Sequence, residues 1–512
     1  MLIDEANAPS EDVEEGRRAF LGVNSLKKVV ALAGSVAVLS AACDAVGDSG
    51  NPDMLLMKRA TYGVTQEIID RVAAIGAAAW VTEQLDWASL DTSAIDAKIT
   101  TMPAVTMSPS QLMANYPDSD IVDALVQMIT ASAIRQIEGP AQIYERMVEF
   151  WSDHLNVAAA DEILRLLKVV EDREVIRPHA LGKYKELLVA SAQSPAMLVY
   201  LDNAYSVKNG INENYSRELL ELHTLGVDAG YDHDDIVAVA ELLTGWSVDP
   251  NTGLFTFRLN QHDTGFQSIL GWDRPGDTNY LDHGVQFLHH LALHPNTAAF
   301  VCTKLARRFV NDMPDPALVA DLAAVYLAND SDIKPVLEAL FAHPTFLASS
   351  GQKLRRPQEF LVAIARQVGG ELQPTTLATE SGSLSTTAIG LGQAPFQWPH
   401  PNGYPDVATA WLNTGGLLAR WNAVSDVAWN QLDLLSYDHD AARAGIPAQP
   451  LGPMASQLSE NLLHEPLTTN GQHVIAQYFG ETIDAPKDPL WLSLHLPSLV
   501  ALILASNDNQ FT

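Results

Sequence analysis

The chain has 512 residues, 47% of them hydrophobic and 18% charged, with a formal net charge of −31 at pH 7. Such a composition describes a globular protein of one large domain or a few smaller ones. So acidic a surface repels phosphate backbones, which excludes nucleic acid as a partner, and it suits cationic or neutral partners, divalent metals or plain solubility.

The first 42 residues read as a twin-arginine-type signal peptide. Arg17 and Arg18 precede Phe20 and Leu21, Lys27 and Lys28 follow, and residues 29–42, VVALAGSVAVLSAA, are apolar or small. That run is shorter than the roughly 20 residues a membrane-spanning helix needs. The signal ends at Ser40-Ala41-Ala42-Cys43, which suits cleavage before Cys43 by either signal peptidase. Lipidation of Cys43 is the favoured route, although the lipobox leucine, Leu39, sits one place early. Residues 43–52 then form a lipidated tether, and the membrane is met only through that lipid. Cys302 is left without a cysteine partner, in an amphipathic stretch where it reads as a small core residue.

From residue 53 to 512 the pattern is that of a mainly α protein. Apolar residues recur at helical spacing in TQEIIDRVAAIGAAAWVTEQL, DIVDALVQMITASAIRQI, AQIYERMVEFWSDHLNV, GKYKELLVASAQ, DHDDIVAVAELLTGW and ALVADLAAVYLAN. Thr65, Asp120 and Asp232 stand where N-caps belong. Strand alternation is confined to LFTFR, which with the turn-rich residues after it predicts a small β-hairpin near 254–270. Residues 369–390 are the loosest internal stretch, and a C-terminal subdomain from about residue 370 is one option for a chain otherwise read as a single multi-helical domain.

Several blocks together resemble a bacterial family catalogued as domain of unknown function 1800. They are LLMKRATYGVT (55–65), ERMVEFWSDHLNV (145–157), NENYSRELLELHTLGVDAGY (212–231), LLTGW (242–246), HDTG (262–265), HP (294–295), KLARRFV (304–310) and WPHPNGYPD (398–406). The resemblance implies an exported, mainly helical protein, encoded near a second exported family, domain of unknown function 1501, that is similar to sulfatases and alkaline phosphatases. It implies no activity. Gln267 stands where the resemblance leads one to expect lysine, and Asn402 where it leads one to expect aspartate.

The candidate site residues follow from side-chain chemistry. On a helix over 212–226, at about 100° per residue, Asn214, Arg217, Glu218 and Glu221 fall within one arc, with Arg217 one turn before Glu221 and able to pair with it. Such a stripe is either a solvated face or the wall of a pocket that holds a divalent cation or supplies acid and base. His223 and His154 both fall on apolar arcs, either as hydrogen-bonded core imidazoles or as groups lining an internal site. Asp202, Asn203, Asn212 and Asn214 offer oxygens in a loop, for Ca²⁺ or sugar hydroxyls or merely for turns and caps. His262 and Asp263 form either an acid–base pair or an ordinary turn, and Trp398, His400 and Tyr404 sit in a proline-stiffened segment that suits a carbohydrate platform or a core cap.

No phosphate-cradling glycine loop, GxSxG, HExxH or CxxC occurs, which disfavours dinucleotide, P-loop and thiol chemistry. Two functions stay open. One is an exported hydrolase or lyase acting on an extracellular polymer through Glu218, Glu221 and a histidine, with or without a divalent metal. The other is a non-catalytic scaffold for the sulfatase-like neighbour.

Overall fold

The computed structural model describes residues 50–117, 120–227, 229–376, 384–433 and 435–512. Arg17 and Arg18, expected to form a twin-arginine signal, and Cys43, the expected lipidation site, lie outside the described residues. Helices dominate, and strands occur only as short two-stranded antiparallel pairs.

Most helices form where the apolar spacing places them. Gln142–His154, Tyr184–Ala192 and His233–Leu242 each fall inside an expected segment, and Pro316–Ala328 begins one residue ahead of its own. Asp232 caps its helix through a reciprocal box with Asp235. Thr65 and Asp120 occupy cap positions without making a side-chain cap bond. One expected helix is two: Gln66–Ile75 and Ala77–Leu85 meet at Gly76, whose φ of 85° ends the first and turns the chain into the second.

Strand Phe255–Phe257 forms as the alternation predicts. Its partner lies upstream, at Trp246–Val248, and a second minimal pair, Ser268–Ile269 with Trp272–Asp273, follows it. Within the loosest stretch, residues 377–383 lie outside the described residues, and Leu384–Gly390 is helical.

Two large apolar cores result. The first gathers side chains between residues 54 and 346, with Trp80, Trp151, Trp246 and Phe309 among its largest members. The second is built mostly from residues 360–505 and borrows Tyr62, Ile95 and Ile134 from the earlier part of the chain. Each fully buried leucine or phenylalanine contributes roughly 1.5–3 kcal/mol. Cys302 is a buried member of the first core, and burial pushes its thiol up to about 12. Arg59 joins distant segments: its guanidinium donates to the carbonyls of Phe309, Val310, Ser349 and Thr512 at 2.5–2.7 Å. Among the described residues no helix is long and apolar enough to cross a membrane.

Candidate functional site: a cationic cleft above a buried ion lattice

The chain's acidity hides a local reversal. Where helices Gln142–His154 and Pro295–Phe309 and the segment Arg355–Glu359 meet, charges are buried in alternation. Arg356 binds Glu149, Asp153 and Glu359. Arg308 binds Glu359 at 2.5 Å, Asp406 at 2.8 Å and Asp153 at 3.3 Å, while Arg146 reaches Glu359 at 3.0 Å. Lys353 links Asp406 to Asp312 at 3.0 and 2.8 Å. Burial alone would raise Glu359 and Asp406. The surrounding guanidiniums, with Lys353, overcome it, holding Glu359 well below the usual carboxylate range and Asp406 at about 2. Each charge is therefore matched, the condition under which buried ions are tolerated.

Asp406 carries the lattice into the segment 398–406, which lies across the two helices. Asn156 donates to the carbonyls of Trp398 and His400 at 3.0 and 2.8 Å, and Trp398 Nε1 donates to Asn402 Oδ1 at 2.9 Å. Gly403 sits against the Asp153 carbonyl with φ 70°, and a Cβ there would fall 2.1 Å from that oxygen. A cleft of about 270 Å³ opens between this segment and the helices. Phe150, Asp153 and His154 form one wall, Lys304, Arg307 and Arg308 another, and Trp398 and Tyr404 part of the third.

His154 is 1% exposed and sits at the base. Lys304 Nζ donates to its Nδ1 at 2.8 Å, so Nε2 carries the proton and donates to the His223 carbonyl at 3.0 Å. The Tyr184 hydroxyl donates to the same carbonyl. That carbonyl is free because its helix ends at Thr224. Burial, then the Lys304 charge, holds His154 neutral, well below the usual range. Burial also brings the Lys304 amine down to about 8, against the pull of Asp153. Lys304 has no carboxylate within ion-pair distance among the described residues, and Arg307 donates only from Nε, to the Asp312 carbonyl at 3.2 Å.

The family model described as a protein of unknown function, DUF1800, matches residues 55–511. The chain belongs to that family. No curated protein and no solved structure matches it.

In this DUF1800 protein the expected site residues divide. His154, Trp398 and Tyr404 line the cleft. His400 stands exposed beside it, its ring 5.9 Å from that of Trp398. His223 lies behind His154, 1% exposed, with Nε2 unpartnered, and burial drives it down to about 3.

Glu218 and Glu221 are half-buried, and neither is among the residues lining the cleft. The helix is α only over Asn214–Glu218, then π over Leu219–Thr224, where Leu225 N–H reaches back to Leu220 O, so the uniform angular spacing assumed for it fails after Glu218. Arg217 pairs with Glu213 at 3.1 Å rather than with Glu221. Burial, then the neighbouring Glu221 charge, raises Glu218, against Arg217. Glu218 in turn adds to the burial that raises Tyr200 to about 12, and the Tyr200 hydroxyl donates to Pro399 O at 2.8 Å, so Glu218 stands beside the cleft segment's support.

The remaining candidates hold backbone. Asn203 donates to Leu243 O, Asn212 accepts from Asn214 N–H, and Asp202 adopts φ 63° ahead of a turn. His262 is fully buried and bonds Thr244 O at 2.8 Å, and Asp263 accepts from Gly265 N–H. Gln267 Oε1 accepts from Arg274 at 2.8 Å, a role closed to the lysine expected there. Asn402 likewise serves as acceptor for Trp398. Among the described residues no group of three His, Cys, Asp or Glu side chains is placed to hold a metal.

Lys304, Arg307, Arg308, Asp153 and Asp406 were not foreseen as site residues. The available signal was KLARR, which places three cations at i, i+3 and i+4 of one helix in an acidic chain.

Proposed function

We propose that this is an exported, lipid-anchored bacterial protein that acts on an extracellular polymer as a hydrolase or lyase, with Lys304 as the proton acceptor. The observation that carries the reading is the Lys304–His154 pair: an amine in an open cleft, 2.8 Å from a neutral imidazole. An amine half deprotonated near pH 8 is poised as a general base. His154 Nδ1 accepts from Lys304 in either protonation state, which keeps the amine aimed while it gains and loses a proton. The His223 carbonyl and Tyr184 fix the imidazole's tautomer from behind. Asp153 and Asp406 are matched by Arg308, Arg356 and Lys353, which leaves them to shape the cleft rather than transfer protons. Export and anchoring rest on Arg17, Arg18 and Cys43.

The test uses the purified protein with soluble polygalacturonate, chondroitin sulfate, dextran and xylan, reading new reducing ends and the ultraviolet absorbance of unsaturated ends. We expect cleavage that rises as pH passes through about 8. Lys304→Met loses about 10²–10⁴-fold, and Lys304→Arg, permanently charged, does not restore it. Unsaturated ends identify a lyase. A Lys304→Met protein as active as the parent removes the reading.

A scaffold for the domain of unknown function 1501 partner is the second reading. It is favoured by the exposure of Tyr205 (68%), Leu259 (55%) and Phe266 (73%) on loops joined by Lys208 N–H to Gln261 O. Loss of co-elution with that partner on Phe266→Ser is the expected sign.

A further inference from the structure

The cleft's charges are unequal in a way that specifies a ligand. Its two carboxylates, Asp153 and Asp406, are both bound by Arg308, and further by Arg356 and Lys353 respectively. Arg308 is thereby satisfied. Lys304 and Arg307 remain, three residues apart on one helix and both on the cleft wall, and neither has a carboxylate partner among the described residues. Arg307 is permanently charged and, with Nε fixed on the Asp312 carbonyl, keeps its terminal nitrogens for a planar acid, which leaves Lys304 beside it free to take a proton.

Across the cleft, the Trp398 indole is held by its bond to Asn402, by Asn156 on its carbonyl, and by Tyr404, whose ring centroid is 4.8 Å away. A fixed indole in a cleft of about 270 Å³ suits the flat apolar face of one or two sugar units. We infer that the cleft binds an acidic glycan, its carboxylate or sulfate seated on Arg307 and its ring against Trp398, with the sugar beside Lys304. The inference rests on the reading that this cleft is the working site, and it names that site's substrate class.

Equilibrium binding separates the two ideas, because it needs no turnover. Calorimetry of the purified protein with three trisaccharides of equal length, one neutral, one bearing a uronate and one a sulfate ester, reports the acid preference directly. At least one acidic probe should bind and weaken as salt is added, while the neutral one does not bind. Arg307→Gln should weaken the acidic probe about tenfold or more, and Trp398→Ala should weaken it too. Comparison of the uronate with the sulfate arm identifies the acid.

Equal binding of the neutral probe, no binding of either acidic probe, or an affinity indifferent to both salt and Arg307→Gln overturns the inference. The salt series on the parent protein serves if the variant does not fold. A protein that binds acidic probes yet cuts no polymer keeps this inference and loses the catalytic one. A protein that cuts only dextran or xylan does the reverse.

Discussion

His223 is buried with an unpartnered ring nitrogen, and its charged form is excluded from the folded chain down to about pH 3. The unfolded chain takes up that proton near 6.5. Between those values the unfolded state binds more protons, so stability is lost as pH falls, by about 1.4 kcal/mol per pH unit for each such group. His154, held neutral by the same burial, adds to the slope. Substituting His223→Phe should leave the melting temperature near pH 8 little changed and make the acid limb shallower by one group. Thermal melts between pH 4 and 8 that keep the parent slope would show that another titration governs acid unfolding.

The segment 398–406 shows how an element can be held from several sides. Gly403 adopts a backbone conformation that disfavours a side chain, and it touches the Asp153 carbonyl. Gly403→Ala must therefore lift the segment or strain it. A cost of about 1–3 kcal/mol in stability is expected, with weaker engagement of Trp398 by any ligand; both are read by denaturant unfolding and tryptophan fluorescence. Breaking the lattice beneath costs more. Arg356→Met leaves Glu149, Asp153 and Glu359 short of their shared cation, a loss of about 3–5 kcal/mol. A variant within 1 kcal/mol of the parent, roughly the level of an exposed ion pair, would mean that water enters the lattice.

Helices such as Gln142–His154 were legible because apolar residues recur at a single period, and His154 fell on the buried face that the period assigns to it. Periodicity fails where the geometry itself changes. The π turn at Leu219–Thr224 moves every residue after Glu218 off its expected bearing, and Gly76 divides a pattern that reads as continuous. The cleft was half visible for a different reason. Trp398 and Tyr404 announce themselves as rigid aromatics, but Lys304 and Arg307 matter only because Arg308, between them and the lattice, is already matched by residues 153, 359 and 406. Spacing along one helix cannot report partners that arrive from three distant segments.

At the scale of the whole molecule, Arg59 bonds four carbonyls from residues 309 to 512. Arg59→Met leaves those carbonyls without their donor, and a global loss of about 3 kcal/mol or more should appear as one cooperative shift in unfolding. Independent melting of two parts would instead show that the clamp couples them. The same reach governs when the cleft can exist. Its walls come from residues 150–154, 304–308 and 398–407, and Asp406 completes the charge matching of Arg308 and Lys353. A nascent chain still short of that aspartate on the ribosome carries cations with no counter-charge, and a recess without its third side. The ligand-ready form therefore cannot appear before residues 398–407 have emerged, so products terminated ahead of them are marked by their own unbalanced interior.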